Sequence, residues 1–159
     1  MKKKLIVLVS VLLFVGVIYM ILRIAGYYVP LKAFKKETQK FDQYVTEIKE
    51  DTSDKKRKRL EMSVEEYNRL KEDMLTEWGD FPVIWFNPTP GSVLGKDLFT
   101  EEERSGQAEA FIRSYECDGL FGVTSNMVHE RLAVNIHEDI VYLEYNAEIY
   151  MAGLFGQVK

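Results

Sequence analysis

The side chains with most chemical potential lie late in the chain: Cys117, His129, His137, Glu138 and Asp139. They include the only cysteine and both histidines. Imidazoles on neighbouring strand ends, joined by Glu138 and Asp139, could converge on a divalent metal. Alternatively, a histidine–acid pair could activate Cys117 as a nucleophile. Against both stands the ease with which two histidines fall eight residues apart. His129-Glu130 is followed by no second histidine at zinc-protease spacing, and the chain holds no nucleophile elbow, phosphate loop or dinucleotide fingerprint. The expectation is no catalytic residue, no cofactor and no metal. A membrane-tethered enzyme or metal-binding protein using His129, His137 and nearby carboxylates stands as the alternative. Cys117 cannot form an internal disulfide and reads as a half-buried small apolar residue.

A second chemical feature is the run Lys55 to Arg59, five cations in a row. From Lys32 to Arg59 there are ten Lys/Arg against six Asp/Glu, and from Leu60 onward seven against nineteen, or −12. A domain this acidic repels phosphate, so no nucleic-acid partner is expected. The basic run reads as a solvated linker. Its functional alternative is a grip on anionic lipid by a cytoplasm-facing regulator.

These groups must be positioned by a chain that begins with an apolar segment. Leu5 to Leu22 holds 18 residues without a charge, and only Ser10 and Gly16 are not hydrophobic. At the helical rise it spans about 27 Å, near the thickness of a bilayer's hydrocarbon core. A cleaved signal peptide is the competitor, but this core exceeds the usual ~7–15 residues. A cut after Ala25 would also put Arg23 where a small side chain is wanted. Arg23 can snorkel outward, and Tyr27 and Tyr28 suit the aromatic belt of an interface. Lys2, Lys3 and Lys4 pack before the run, which favours a cytoplasmic N-terminus and an extracytoplasmic domain. The expected layout is a basic tail (1–4), a transmembrane anchor (5–29), a charged helical stalk with a basic linker (30–59) and an acidic α+β domain (60–159).

In the stalk, Phe34, Phe41 and Ile48 recur every seven residues, a stripe that packs on the chain's own domain or makes a homodimer seam. Ser63-Val64-Glu65-Glu66 is a capping box opening a helix whose face is Tyr67, Leu70, Met74 and Trp78, with Gly79 as its stop. Residues 81–86 read as a strand confined to a sheet start or edge by Pro82. Thr100-Glu101-Glu102-Glu103 repeats the capping logic and predicts a second helix with Ala108, Phe111, Ile112 and Tyr115 on its face, weakened by Gly106. Beyond it, Leu120–Thr124, Leu132–Ile136, Ile140–Tyr145 and Ile149–Val158 read as antiparallel strands. His137-Glu138-Asp139 joins the middle two without a glycine to relax the turn.

The fold class expected is therefore α+β: one N-terminal transmembrane helix, a helical stalk, and a small domain of two helices with an antiparallel sheet. The expected function is a non-catalytic interaction or accessory module at the bacterial cell surface, single-pass, in contact with membrane lipid and a protein partner. Trp85 and Phe86 are the first candidate contacts, with Phe34, Phe41 and Ile48 as the dimer alternative.

Overall fold

The computed structural model describes residues 2–77, 83–86, 88–89, 91–117 and 126–151. Trp78, Gly79 and the strand expected at Leu120–Thr124 lie outside them, as does the end of the strand expected to reach Val158. The chain is α+β. Helix α1 (Lys2–Thr38) leads into a short 3-10 helix (Gln39–Tyr44) and then β1 (Val45–Asp51) and β2 (Lys55–Ser63). Helix α2 (Val64–Glu77) follows, then β3 (Val83–Phe86), β4 (Gln107–Glu116), β5 (Asn126–His137) and β6 (Ile140–Met151). All six strands pair antiparallel in one sheet, ordered β1-β2-β6-β5-β4-β3.

Helix α1 is long and apolar enough to cross a membrane, and its hydrophobic window is wholly exposed. It does not end in a stalk. Gly26, Pro30, Phe34 and Thr38, each four residues from the last, are buried, and Phe41 continues the stripe. A spacing of four puts them on one helix face. That face lies on the sheet, where the Phe41 and Tyr145 rings stand 4.4 Å apart. The expected dimer seam is thus part of the domain's own core for Phe34 and Phe41. Ile48 is exposed on β1, an outer strand.

The region expected to be stalk and linker becomes β1 and β2. The period-seven pattern misleads because the helix stops after Thr38 and β-branched Val45, Thr46 and Ile48 favour extension. In β2 the burial alternates strictly, with Lys56, Lys58, Leu60 and Met62 toward the helices. Two of those inward positions are lysines, so hydropathy shows no period of two.

Helix α2 starts where the capping box places it. The Glu66 carboxylate accepts the Ser63 amide at 3.0 Å, and the Ser63 hydroxyl accepts the Glu66 amide at 3.3 Å. Tyr67 and Met74 are buried on the sheet with Leu70 between them. The same device at Thr100 forms, with the Thr100 amide donating to Glu103 at 2.7 Å. It caps only a turn. The predicted second helix is strand β4 instead, and Phe111 pairs with Leu132 inside the sheet. Phe111 and Tyr115, four apart, share a face on a helix and on a strand alike, whereas Ala108 and Ile112 of the predicted helix face fall on the opposite side of the sheet.

One sheet face packs under α1 and α2 through Leu60, Phe111, Val128, Leu132, Val134, Val141, Leu143 and Tyr145. The segment 91–106 lies across part of the other face. Val93, Leu94, Leu98 and Phe99 settle on Ala108, Ala110 and Ala133, whose small side chains permit the close approach.

Two turns carry sequence-dependent strain. A Cβ on Gly106 would meet the Ile136 carbonyl oxygen at 1.9 Å, so this glycine is required where 91–106 enters β4. In the β5–β6 hairpin His137 pairs with Ile140, leaving the two-residue turn Glu138-Asp139, and Glu138 sits at φ 53°. Gly106→Ala is expected to lower stability by about 2 kcal/mol or more, because backbone must move. Glu138→Gly is expected to raise it by up to about 1 kcal/mol, since glycine carries no penalty at positive φ. Thermal unfolding of the full chain in detergent micelles checks both directions.

Candidate functional site

The cleft best formed for a ligand opens between α1 with its 3-10 extension and α2. It encloses about 440 Å³, within the range of ligand pockets. One wall is Glu37, Lys40, Phe41, Gln43 and Tyr44; the other is Glu66, Arg69, Leu70, Asp73 and Met74. Its floor is an ion pair on the sheet, Arg113 of β4 and Glu130 of β5. These residues face each other directly in the strand register, which places both on the helix-covered face.

The floor is a continuous polar network in an apolar layer. The Arg113 Nε donates to Glu130 Oε2 at 2.8 Å, and the Tyr145 hydroxyl donates to Glu130 Oε1 at 2.8 Å. The Glu130 side chain is 1% exposed and Arg113 7%. The guanidinium also lies 4.4 Å from the Tyr115 ring centroid. Nearby on β4, Glu109 accepts the Tyr67 hydroxyl and the Lys71 ammonium, the latter at 2.7 Å. Burial first, and the neighbouring carboxylate second, push the Tyr67 and Tyr145 hydroxyls above their ordinary values. Both therefore remain protonated donors at neutral pH. The cleft can hold mixed charge at its rim (Lys40 pairs with Glu37 at 3.0 Å) over a fixed, polar floor.

The sequence-derived candidates fall elsewhere. His129 and His137 stand near opposite ends of β5, on the order of 26 Å apart along the strand, and do not share a site. His137 Nε2 lies 4.0 Å from Glu102 Oε1. His129 Nδ1 lies 2.6 Å from the Ser114 hydroxyl, and its ring meets Tyr150 edge-on at 5.3 Å. Register extends this row across four strands, Ser114, His129, Glu148 and Lys55. Glu148 accepts the Tyr150 hydroxyl at 2.7 Å and pairs with Lys55 at 2.8 Å. The row is two separate polar groups, Ser114 with His129 and Glu148 with Tyr150 and Lys55, joined by the His129–Tyr150 ring contact. Among the described residues no group of three or more His, Cys, Asp or Glu is arranged to hold a metal. Cys117 is half-buried beside α1, its thiol 3.9 Å from the Pro30 carbonyl. Trp85 and Phe86 belong to β3, the outer strand beside β4; their side chains lie outside what is described.

The basic run is not a solvated linker. Each of its cations meets a carboxylate of the same chain: Lys55 with Glu148, Lys56 with Asp51, Arg57 with Asp97 and Glu144, Lys58 with Asp42, Arg59 with Glu61 and Glu103. Arg57 reaches Asp97 through two bonds of 2.8 Å, and Gly95 donates its amide to Glu144 at 2.6 Å. A Cβ on Gly95 would lie 2.4 Å from Arg57 Nη2, so this glycine lets the loop approach. Arg59 bonds the Leu98 carbonyl and lies over the Phe99 ring. Sequence reasoning missed the Arg113–Glu130 floor; its one signal was two opposite charges at alternating positions of apolar strands.

Replacing Glu130 with Leu leaves a buried guanidinium without its carboxylate, for an expected loss of about 3–5 kcal/mol. Adding Arg113→Met is expected to recover most of it, read by denaturant unfolding of wild type, both single variants and the double. Acid weakens the ion pairs that hold the 91–106 loop. The Arg57 bond holds the Asp97 carboxyl below its ordinary value. Burial pushes Glu103 up, but the Arg59 and Thr100 bonds prevail and leave it lowered. Folded values below unfolded ones stabilise above the ordinary carboxylate range near ~4, and that contribution is lost as pH falls through the lowered values. Hydrogen exchange at residues 93–99 is expected to rise on acidification before exchange in the β5–β6 hairpin does.

Compared with known proteins, the chain matches no family model, no curated protein and no solved structure.

Proposed function

We propose that the chain is a single-pass membrane-anchored, non-catalytic interaction module, with its N-terminus in the cytoplasm and its folded domain outside, at a bacterial cell surface. The observation that supports it is the continuity of α1. One helix carries the exposed apolar run and then supplies Phe34 to the domain core. Such a helix tethers the domain rigidly to whatever holds the run. The lysines at positions 2–4 favour the orientation. The partner surface is the cleft between α1 and α2, and the occupant is a segment of a protein partner. Its rim alternates acidic and basic groups while Leu70, Phe41 and Met74 offer apolar contact. Partner selection at such a rim rests on charge pairing, and affinity on the apolar interior.

A photo-crosslinking residue placed at Arg69, on the rim, is expected to yield a discrete protein adduct in intact membranes. The same residue at Asp139, on the distant hairpin, is expected to yield none. Asp73→Arg is expected to cut the Arg69 adduct several-fold without releasing the chain from membranes. Identical adducts from both positions, or none from either, would reject the cleft as the contact. Protease treatment of intact cells tests the orientation: survival of the domain until lysis would reverse it.

A further inference from the structure

The buried stripe of α1 begins surprisingly early. Leu22 and Ala25 are already half-buried and Gly26 is buried, whereas the preceding run is exposed on every side. If Leu5–Leu22 fills the hydrocarbon, which is the anchoring reading above, Gly26 lies only about 6 Å beyond its end. A headgroup layer is about 5–7 Å deep on each side. The folded domain therefore touches the helix inside the headgroup layer.

We infer that the domain is seated on the lipid surface, with one end of its sheet as a membrane-contacting face. The end is identified by Cys117, just past β4, against Pro30. It gathers the C-terminal ends of β4 and β6, the start of β5 and the β1–β2 turn, where the Ile149 amide donates to the Asp54 carbonyl. Tyr27 and Tyr28 are exposed on α1 at this level, packed edge-on at 5.2 Å, and tyrosine favours that layer. Lys32, Lys35 and Lys36 follow, exposed, with the sign that lipid phosphates attract. Met127, second residue of β5, lies at this end on the face away from α1, with over a third of its surface exposed. The β5–β6 hairpin tip lies at the opposite end, on the order of 35 Å away along the strands.

The inference rests on the anchoring reading, and one experiment separates the two. Full-length chain with Cys117→Ser and one new cysteine, Met127→Cys or Glu138→Cys, is labelled with a fluorophore. It is reconstituted in phosphatidylcholine vesicles, some lipids bearing a nitroxide on the headgroup. Co-flotation with vesicles reports the anchor; quenching reports the seat. The expected result is at least about twofold loss of emission at position 127 and none at 138, because ~35 Å exceeds contact range. Ser53→Cys, in the exposed β1–β2 turn, is expected to behave like position 127 and stands in should Met127→Cys misfold. Flotation without quenching at 127 and 53 would mean the domain stands off the membrane, overturning the seat while keeping the anchor. Equal quenching at all three would place another face on lipid. Failure to float would remove both.

Discussion

The structure depends on one electrostatic arrangement: a strand of five consecutive cations built into an acidic domain. Burying an ammonium is costly unless a carboxylate meets it, and Lys56 and Lys58 are 8% and 4% exposed. Their partners come from different elements. Asp51 lies on β1, Asp42 in the 3-10 helix, Glu144 and Glu148 on β6, and Asp97 and Glu103 in the 91–106 segment. Strand β2 is therefore a charge hub as well as a hydrogen-bonded strand. The partially exposed pairs contribute little individually. Their role is to specify what lies on each face of β2, since any other placement of five cations leaves a like-charge stripe unneutralised. Lys56 and Lys58 hold the helical side, and Lys55, Arg57 and Arg59 the opposite face, because the side chains of a strand alternate.

This arrangement changes what the charge count means. Five of the ten cations between Lys32 and Arg59 are paired within the fold, so the contrast between a basic stretch and an acidic remainder is in good part internal neutralisation. A lipid-gripping role for Lys55–Arg59 would require breaking pairs on both sheet faces. Lys32, Lys35 and Lys36 on α1, by contrast, are exposed. The same geometry replaces the stalk. A chain that spends residues 39–63 on a turn and two strands has no rod left to lift its domain.

Much of the architecture was legible because it rests on local chemistry. The apolar run, the Ser63 cap with the Tyr67–Met74 face, the edge strand at 83–86 and the β5–β6 hairpin each carry their signal within about a dozen residues. What was hidden depends on partners remote in sequence. Strand β2 cannot be recognised from hydropathy when two of its inward residues are lysines, Lys56 and Lys58, whose carboxylates are supplied by β1 and the 3-10 helix; outward Lys55 meets Glu148, 93 residues further along the chain. The Thr100 cap was read correctly as chemistry and wrongly as a helix. A cap lowers the cost of a first turn, but propagation competes with ten residues of β4 pairing on β5 and the burial of Phe111. Gly106 was the warning. Read as a weakness in a helix, it is where the loop backbone crosses Ile136. The candidate cleft escaped altogether because its floor is an ion pair that only the β4–β5 register brings together.

The continuity of α1 from its exposed apolar run into the domain core has a mechanical consequence. With Phe34 and Phe41 buried in the core, rotation or tilt of α1 is not absorbed by a flexible linker. Such motion must either carry the whole sheet or shift α1 against α2. The cleft lies between those two helices, and its walls move together only if the Arg113–Glu130 floor and the Phe41–Tyr145 contact hold. Packed layers resist continuous deformation and shift between discrete arrangements. A ligand that preferred one spacing of α1 and α2 would, by reciprocity, respond to anything that shifted that spacing.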